Sequence, residues 1–531
     1  MSTQSRIVAF MCNWCSYAGA DLAGTSRIAY PTNIRPIRVM CSGRVNPSHV
    51  LEALELGADG VLVSGCHPGD CHYISGNEKA QKKMEMTSKL LSMLGVGSDR
   101  LRLEWISASE GERFAEVAKS FTQNLSKIGP SPLEPHPSGL PHASSQVIEE
   151  AISATNVRQC LDCGKCSSSC PVARINDEYS PRRVVDRFLL GMGEKMVSSR
   201  EMWMCTGCYL CRERCPSDVR FAEFLAKVRS LADPETKDEL CAHGGLPLSI
   251  SRIMTTPGLN QKRMAWLPAE AKVAEKGDLL YFVGCLPYFD VIFEDIDPNT
   301  VSIAQNAVRL LNHLGENPVV MKNERCCGHD LLWTGDYESF RRLAEMNVEE
   351  IRASGAKKVV TTCAECYRTI AKDYPEAVGE LGFEVVHFSQ HLADLMEKNK
   401  LEFKKPLNKR IVYHDPCRLG RHMGVYDAPR RVLQSILGVE LLEMENNREA
   451  ARCCGVSSWL ACSKYTKELQ RERLVEAKET GADLLVTACP KCQIHWKCIL
   501  SEKSEVRPTG IDIEFSDLAT VAANGTELRR R

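Results

Sequence analysis

The sequence has no long apolar run and no excess of charge of either sign. No stretch approaches the ~20 apolar residues that a membrane-spanning helix needs, and the longest candidate, near residues 279–283, suits a short strand. The 67 basic and 68 acidic residues leave a formal net charge of −1, so no electrostatic surface for nucleic acid or anionic lipid is expected. We therefore predict no direct membrane insertion and no nucleic-acid partner.

Nucleotide-binding and secretion signals are also missing. The chain has no G-x-G-x-x-G after a predicted strand and no P-loop, which indicates that flavin and nucleotides are bound by another protein. No signal-peptide pattern is seen, and the 26 cysteines fall in C-x-x-C clusters of a long chain rather than in a small disulfide framework. These features predict a reducing, cytoplasmic compartment.

Cysteine, by contrast, is abundant and occurs in a repeated order. The triplet Cys-Cys-Gly occurs twice, each time with one cysteine before it and a C-x-x-C motif 36 or 35 positions after it. Two related thiolate clusters are the simplest interpretation. A pair of zinc sites or disulfides is the alternative, but four thiolates satisfy zinc and leave the fifth cysteine surplus. The first set is Cys285, Cys326, Cys327, Cys363 and Cys366, and the second set is Cys417, Cys453, Cys454, Cys489 and Cys492.

Residues 6–127 alternate short apolar runs with helical patterns, which predicts a small parallel α/β domain. The expected strands are residues 7–10, 37–40, 60–63 and 101–106. Because the carboxyl ends of parallel strands form the ligand crevice, cysteines at those ends converge on one place. Cys12-Asn-Trp-Cys15 alone also suits a redox dithiol or half of a zinc site, but the additional cysteines favour a metal–sulfur centre. The converging residues are Cys12, Cys15, Cys41, Cys66 and Cys71.

This part resembles the iron–sulfur delta subunit of methyl-viologen-reducing hydrogenase. The likeness is carried by Cys12-Asn-Trp-Cys15, Cys41-Ser-Gly-Arg and the stretch from Gly65 to Tyr73, and covers about residues 5–127. It implies one 2Fe-2S cluster and electron transfer between a hydrogenase or formate dehydrogenase and a flavoprotein. Five cysteines compete for four ligand places. His67 and His72 are alternative ligands or, as we favour, loop-stabilising residues.

A proline-rich stretch separates this domain from a ferredoxin pattern. Residues 129–145 contain five prolines and little that is apolar, which predicts a linker. Two runs of C-x-x-C-x-x-C-x-x-x-C-P follow, and in this pattern the fourth cysteine of each run binds the cluster of the other run. The helical pattern between the runs predicts an all-helical domain. One cubane 4Fe-4S cluster should use Cys160, Cys163, Cys166 and Cys215, and the other Cys205, Cys208, Cys211 and Cys170.

The C-terminal half shows the same strand and helix order around both Cys-Cys-Gly triplets. Strands are expected at residues 279–283, 318–322 and 357–361 in the first copy, and at 410–413, 439–444 and 483–487 in the second. Each cysteine group follows strand ends, so two α/β units should present their cysteines at facing edges. Gly328 and Gly455 either let the backbone approach a cluster or serve as turn glycines.

Residues 151–520 resemble heterodisulfide reductase, with its C subunit (the ferredoxin part) fused to its B subunit (the Cys-Cys-Gly part), as in the fused D subunit of some methanogens. The resemblance implies that each five-cysteine set holds a non-cubane 4Fe-4S cluster and that the pair cleaves the coenzyme M–coenzyme B heterodisulfide. Relatives that only pass electrons, as in glycolate oxidase and glycerol-3-phosphate dehydrogenase, share this plan. A relay feeding a quinone or a membrane cytochrome is therefore the alternative function.

The resemblances imply a larger complex of anaerobic metabolism, for which a dimeric form is one alternative. Its expected partners are a flavin-containing homologue of the A subunit of heterodisulfide reductase, a hydrogenase or formate dehydrogenase as electron donor, and a small disulfide as substrate. His414, Arg418 and Arg421 could offer a proton or hold an anionic coenzyme, or be ordinary helix-start and surface residues. Cys241, Cys462 and Cys498 are expected to be buried small hydrophobes.

The complete plan is α/β and α, in keeping with a length that suggests three or four domains. Residues 1–128 form the 2Fe-2S domain, 129–145 the linker and 146–265 the helical ferredoxin domain. Residues 266–531 form two pseudo-symmetric α/β Cys-Cys-Gly units, at about 275–400 and 408–525. The cofactors expected are one 2Fe-2S cluster, two cubane 4Fe-4S clusters and two non-cubane 4Fe-4S clusters.

The crossed ligation of the ferredoxin runs can be tested by substitution. Changing Cys170→Ser should remove the cubane held mainly by the second run and spare the other, because Cys170 is assigned to the second cluster. The measurement is electron paramagnetic resonance of the two cubane signals, with Cys163→Ser as the matched control that removes the first-run cluster. Loss of the first-run signal alone in Cys170→Ser would refute the crossed assignment.

Overall fold

The computed structural model describes residues 5–135, 145–232, 241–455, 458–460, 462–503 and 507–527. The chain divides into two units, Met1–Gly139 with His243–Arg263, and Leu140–Ala242 with Met264–Arg531. In the described residues, eleven strands form three parallel sheets, and helices are numerous. No helix in these parts of the chain is long and apolar enough to cross a membrane. The protein is thus a mixed α/β protein with parallel sheets.

The first unit contains one four-stranded parallel sheet in the order β2-β1-β3-β4. Its strands are β1 (Ile7–Cys12), β2 (Ile34–Val39), β3 (Gly60–Gly65) and β4 (Leu101–Trp105). The α-helices of this unit are Ser16–Thr25, Pro47–Glu55, Gly76–Leu94, Gly111–Ile128 and Leu246–Ile253. The four strands predicted from the sequence are therefore present, with β2 beginning three residues earlier than expected.

The central strands β1 and β3 are apolar on both faces because helices cover both sides of the sheet. Every residue of β3 is buried, and Phe121 and Leu125 of the helix Gly111–Ile128 pack against it. A Cβ atom at Gly60 would lie 2.6 Å from Leu125 Cδ1. Only glycine at this position lets the helix pack so close to the strand. Close packing here fixes the strand ends that carry the N-terminal cysteines.

Two segments that the sequence analysis assigned to other parts of the protein belong to the first unit. Residues 129–135, predicted as linker, lie against it: Arg100 donates hydrogen bonds to the carbonyl oxygens of Gly129 (3.2 Å) and Pro130 (2.7 Å), and Leu133 is buried. Residues 136–144 of the linker lie outside the described part. Residues 243–263, placed in the ferredoxin domain, belong to this unit because Leu246–Ile253 packs on Pro47–Glu55.

The second unit begins with a helical part around the two ferredoxin runs. Its described α-helices are short, and the sequence between the runs is helical rather than a hairpin, as predicted. Proline starts two of them at the first helical turn, where its missing N–H costs nothing. The helices are Ser145–Ala154, Lys165–Ser169, Pro171–Ile175, Pro181–Leu189, Gly193–Val197, Glu201–Met204, Leu210–Glu213 and Phe221–Arg229.

Two parallel sheets follow in the same unit. The first contains β5 (Leu279–Phe282), β6 (Lys358–Thr361) and β7 (Glu384–His387), and the second contains β8 (Lys409–His414), β9 (Val439–Leu442), β10 (Leu484–Thr487) and β11 (Glu514–Asp517). Helices of the first copy are Leu286–Ile292, Thr300–His313, His329–Trp333, Tyr337–Ala353, Ala364–Arg368, Tyr374–Val378 and Phe388–Glu397, with a π-helical turn at Thr369–Asp373. Helices of the second are Asp427–Gln434, Lys464–Glu479, Pro490–Ser501 and Leu518–Asn524.

The two sheets have the same strand order, which supports the internal repeat. The orders are β5-β6-β7 and β9-β8-β10-β11, so β5, β6 and β7 correspond to β8, β10 and β11. The strand predicted at residues 318–322 is reduced to bridges from Val319 to Ala274 and Leu280. Val319 occupies the place of β9, but Pro318 has no N–H to donate and the pairing does not extend.

A buried ion pair in the first unit leads to a stability prediction. Arg252 Nε lies 3.1 Å from Glu55 Oε2, and burial raises the pKa of Glu55 while the Arg252 charge opposes that shift. Changing Arg252→Met should lower the free energy of unfolding of this unit by ~3 kcal/mol, since an isolated buried carboxylate remains. Chemical denaturation followed by fluorescence measures the effect. The double change Arg252→Met with Glu55→Leu should recover most of the loss; equal losses in both variants would contradict the account.

Candidate metal centres

The N-terminal cysteines lie at the carboxyl ends of β1 and β3. Cys12 ends β1, Cys15 precedes the helix Ser16–Thr25, and Cys66 follows β3. Their three sulfur atoms lie within 4.8 Å of one another and are buried. A hydrogen bond from Cys15 is the main cause that lowers the pKa of Cys12 to about 6. The group therefore favours a thiolate at Cys12.

Cys41 and Cys71 form a second group at the same sheet edge. They hydrogen-bond each other, and a Cβ atom at Gly76 would lie 2.2 Å from the sulfur of Cys41 and 3.1 Å from that of Cys71. Burial raises the pKa of Cys41, and the charge of Cys12 acts in the same direction. All five predicted cysteines are thus neighbours, arranged as three plus two.

His67 and His72 have partners other than the cysteines. His67 Nε2 lies 2.7 Å from Glu110 Oε2, and this contact adds to a backbone hydrogen bond from Ser107 that lowers the pKa of Glu110 to about 2. The ring of His72 stacks on Trp14 with centroids 4.0 Å apart. Their positions favour the loop-stabilising role over metal ligation.

The ferredoxin cysteines line two cavities in the second unit. Cys160, Cys163 and Cys166 of the first run share one cavity with Cys215 of the second run, and Cys211 also reaches it. Cys205, Cys208 and Cys211 share the other cavity with Cys170 of the first run. The backbone N–H groups of Gly207 and Val219 donate to the sulfurs of Cys205 and Cys215, both at 3.3 Å. The fourth cysteine of each run therefore lies with the other run.

The five cysteines of the first set line one cavity. Their thiols form a hydrogen-bonded series that runs from Cys285 to Cys326, then Cys327, Cys366 and Cys363. The side chain of Asn347 and the hydroxyl of Tyr374 donate to the carbonyl oxygens of Cys326 and Cys327, each at 3.0 Å. These bonds hold the triplet backbone in place.

The second set forms a similar series and touches the first. Cys417 hydrogen-bonds Cys453, and the series continues through Cys454 and Cys492 to Cys489. Cys489 then hydrogen-bonds Cys363 of the first set. Cys363 and Cys489 are equivalent positions of the two repeats, so the pseudo-two-fold axis runs between them.

The glycines of the triplets serve a backbone turn. Gly328 and Gly455 have φ angles of +79° and +108°, which side chains rarely adopt. Added Cβ atoms would lie 2.9 Å from Phe340 Cδ2 and 2.7 Å from the Thr466 carbonyl oxygen. Their N–H groups donate to the sulfurs of Cys326 and Cys453, both at 3.4 Å. The turn interpretation accounts for both glycines, and the turn aims an N–H group at sulfur.

Four buried charged or titratable residues beside the first set were missed in the sequence. Lys491 Nζ lies 2.5 Å from both Asp330 Oδ1 and Glu365 Oε2, and His329 Nδ1 lies 3.0 Å from Asp330 Oδ1. Glu365 and Lys491 occupy the same position in their C-x-x-C motifs, so this ion pair also crosses the pseudo-two-fold axis. Opposite charges at equivalent C-x-x-C positions were the signal that could have found it.

The pKa shifts in this group follow from burial and from the ion pair. Burial opposes ionisation of Asp330, but Lys491 and His329 together outweigh it and hold the pKa of Asp330 below its usual range. Burial raises the pKa of Glu365, against the charges of His329 and Lys491. The two carboxylates overcome the burial of Lys491 and hold the pKa of its ammonium high. The ammonium of Lys491 therefore stays charged between the two repeats.

Arg418 and Arg421 are buried and join the ferredoxin part to the second set. Arg418 Nη1 donates to the carbonyl oxygen of Gly207 (2.8 Å), and Arg421 Nε donates to that of Cys208 (2.5 Å). Cys208 packs with Cys453 and Cys417. The alternative that these arginines are surface residues is wrong, since their exposed fractions are 2% and 8%.

Two histidines accept hydrogen bonds from arginines near the cysteine sets. Arg418 Nε donates to His329 Nε2 (3.0 Å), and Arg473 Nε donates to His414 Nδ1 (2.9 Å). An accepting ring nitrogen carries no proton, so both imidazoles are neutral. Burial and the adjacent arginine accordingly lower the pKa of His414.

The three spare cysteines differ from one another in burial. Cys241 is buried, as expected, but Cys498 is half-buried and Cys462 is exposed. Lys467 Nζ lies 2.9 Å from Cys498 Sγ. The expectation of three buried small hydrophobes is therefore correct for Cys241 alone.

The donor chemistry of these sites fits iron–sulfur clusters. Thiols occur in one group of five at the N-terminal sheet, two groups of four in the ferredoxin part and two groups of five around the triplets. Backbone N–H groups are directed at sulfur in the last four groups. Cysteine thiolates are the usual ligands of such clusters, and hydrogen bonds to sulfur tune them. Which cysteines bind which cluster stays a prediction.

Three family profiles match the chain. The methyl-viologen-reducing hydrogenase delta subunit matches residues 7–129, the 4Fe-4S dicluster domain matches residues 156–219, and the cysteine-rich domain matches residues 279–371 and 411–497. With the fold and the thiol groups, these matches define an iron–sulfur oxidoreductase subunit.

Relatives specify the family. The D subunit of the dihydromethanophenazine:CoB–CoM heterodisulfide reductase of Methanosarcina barkeri is 33% identical over 65% of this chain and 89% of its own length. The chain belongs to the family of heterodisulfide reductase D subunits, with a hydrogenase delta subunit-like domain in front.

Two further relatives match other extents of the chain. The A subunit of the ferredoxin/F420H2-dependent CoB–CoM heterodisulfide reductase of Methanosarcina acetivorans is 60% identical over 23% of this chain and 16% of its own length. The B subunit of fumarate reductase (CoM/CoB) of Methanothermobacter marburgensis is 29% identical over 68% of this chain and 72% of its own length.

The ion pair across the axis can be tested through its cation. Lys491→Met should lower the free energy of unfolding of the second unit by ~3 kcal/mol or more, because Asp330 and Glu365 then remain buried without their partner. Denaturant unfolding under anaerobic conditions is the measurement. Lys497→Met, on the same helix but partly exposed, is the control and should cost less than ~1 kcal/mol. Equal effects of the two changes would contradict the assigned role.

Proposed function

We propose that the chain is the catalytic iron–sulfur subunit of a heterodisulfide reductase-like complex. The observation that carries this proposal is the unbroken thiol series from Cys417 to Cys285, in which the two five-cysteine sets meet at Cys363 and Cys489. Electron-passing relatives also have two sets, so the contact between the sets, and not their presence, favours catalysis. Two complete sets that face each other suit a reaction that needs two electrons at one place.

The reaction is the reductive cleavage of a disulfide. R–S–S–R′ accepts two electrons and two protons and gives RSH and R′SH, so the S–S bond breaks and both sulfurs are reduced. Clusters bound at the two sets would each supply one electron and a metal site for sulfur. The coenzyme M–coenzyme B heterodisulfide is the proposed substrate, because the D-subunit relatives are named for it.

The chain's own side chains close and position this centre. Leu286 and Phe289 form an apolar wall of the first-set cavity, while Lys491 closes it from the second repeat. Arg418 and Arg421 tie the loop of Cys208 to the second set, which supplies a direct route from the second-run ferredoxin site. Electrons would therefore reach the second set before the first.

The proposed cofactors and partners are those expected from the sequence. One 2Fe-2S site at the N-terminal cysteines and two cubane sites would feed two non-cubane sites. A flavin-bearing homologue of the A subunit is the proposed neighbour, since an A-subunit relative contains a segment similar to part of this chain. A hydrogenase or formate dehydrogenase is the proposed donor, in a cytoplasmic complex.

A non-catalytic relay is the second candidate. It rests on the electron-passing relatives named in the sequence analysis, since the relative named fumarate reductase (CoM/CoB) has the same two coenzymes in its name as the heterodisulfide reductases. A relay needs no disulfide site, so a disulfide that perturbs the spectrum of either five-cysteine site would favour catalysis.

The test uses Cys326→Ser and Cys453→Ser made separately in the anaerobically purified chain. Both should lower disulfide reduction at least ~100-fold while both cubane signals survive, since each variant loses one of two required electron sources. Cys498→Ser, outside both sets, is the control and should keep full activity. A variant that loses its own cluster but keeps full activity would show that cluster to be a spectator.

A further inference from the structure

We propose that the two five-cysteine sites are electrostatically unequal, and that the second set holds the cluster of higher reduction potential. The inference rests on the proposed cluster assignment and adds the order in which the two sites fill with electrons. It concerns fixed charges of this chain, which are the same whether the chain is a reductase or a relay.

The repeat itself supplies the comparison. Cys285 and Cys417 open the two sets, and the residues one and four places after them are equivalent. In the first set these are Leu286 and Phe289, and in the second they are Arg418 and Arg421. One cysteine is therefore followed by an apolar wall and the other by two guanidinium groups.

The cavity of the first set is lined by more carboxylates than cations. Asp330 and Glu365 line its cavity with Lys491, which gives two carboxylates to one ammonium. His329 adds no charge, because its Nε2 accepts a hydrogen bond from Arg418. Asp330 and Cys285 line the same cavity.

Positive charge lies beside the second set at Arg421 and at Arg418, although Arg418 also reaches His329 beside the first set. Arg418 and Arg421 come one and four residues after Cys417, and both side chains are buried. Arg473 is balanced by Glu476, 2.7 Å away, and His414 is neutral. Arg421 Nη2 is buried and has no hydrogen-bond partner among the residues that the structure describes.

Reduction adds negative charge to a cluster, so nearby cations raise the reduction potential and nearby anions lower it. The effect is large here because these groups are buried, where charge interactions are weakly screened. The second set lies beside Cys208 and should accept the first electron. A cluster held by the first set, with the lower potential, would fill afterwards, so the stronger reductant would be present only once two electrons are held.

The experiment is a redox titration of the anaerobically purified full chain, followed by electron paramagnetic and Mössbauer spectroscopy. The unaltered chain should show two separate transitions for the two special clusters. Arg421→Gln should shift the higher one downward and leave the lower one in place. Asp330→Asn should shift the lower one upward and leave the higher one in place. Coincident transitions in the unaltered chain would overturn the proposal.

Two controls separate charge from structure. Arg421→Lys keeps the charge, so its potentials should equal those of the unaltered chain, whereas a purely structural role predicts a change in both Arg421 variants. Arg431→Gln removes a half-exposed arginine of the same repeat and should shift nothing. A shift of the lower transition in Arg421→Gln would also overturn the proposal.

The titration contains no disulfide, so its result does not depend on whether the chain reduces disulfides. If the two potentials were unequal but no disulfide were reduced, the proposed reductase function would be refuted and the proposed difference in potential would stand. If Arg421→Gln lost its iron, the upward shift expected in Asp330→Asn would decide the matter, and its absence would count against the proposal.

Discussion

The buried ammonium of Lys491, held between Asp330 and Glu365, is the interaction on which the centre of the second unit depends. Taking an ammonium and two carboxylates out of water is costly, and the arrangement persists because the opposite charges meet at 2.5 Å. Glu365 and Lys491 come from equivalent motifs of the two repeats. Their pairing therefore brings the two C-x-x-C motifs together, each at the start of a helix, and places the thiol of Cys363 against that of Cys489.

Strand topology places the remaining ligands around that contact. Cys285, Cys363, Cys417 and Cys489 come after β5, β6, β8 and β10, and parallel strands deliver the residues at their carboxyl ends to one edge of their sheet. The triplets reach the same edges through turns at Gly328 and Gly455. Two sheets with the same strand order thus produce two similar thiol sets, and the side chains between them make the sets different.

The features that depend on residue spacing could be predicted from the sequence, whereas those that depend on packing between distant segments could not. Cysteine periodicity located the thiol groups, and apolar runs located nine of the eleven described strands, because both are local patterns. The strand at residues 318–322 was overpredicted, since an apolar run does not reveal that its pairing stops at Val319. The assignment of residues 243–263 differs because a helix pattern does not say which unit it packs against.

The burial of Arg418 and Arg421 could not be predicted from the sequence for the same reason. Their partners, Gly207 and Cys208, lie more than two hundred positions away, and only the packing of the ferredoxin part on the second repeat brings them together. The ion pair of Lys491 with Asp330 is likewise non-local. Family resemblance supplied the chemistry, but the charges that distinguish the two sets required the structure.

The most direct measurement of the central claim is a single-turnover reaction of the fully reduced chain with one equivalent of coenzyme M–coenzyme B heterodisulfide. Rapid-freeze Mössbauer spectroscopy would count the electrons lost at each cluster, and thiol analysis would count the products. The account predicts that both special clusters lose one electron each, together, as two thiols form. Loss of both electrons from other clusters, or thiol formation while one special cluster stays reduced, would contradict it.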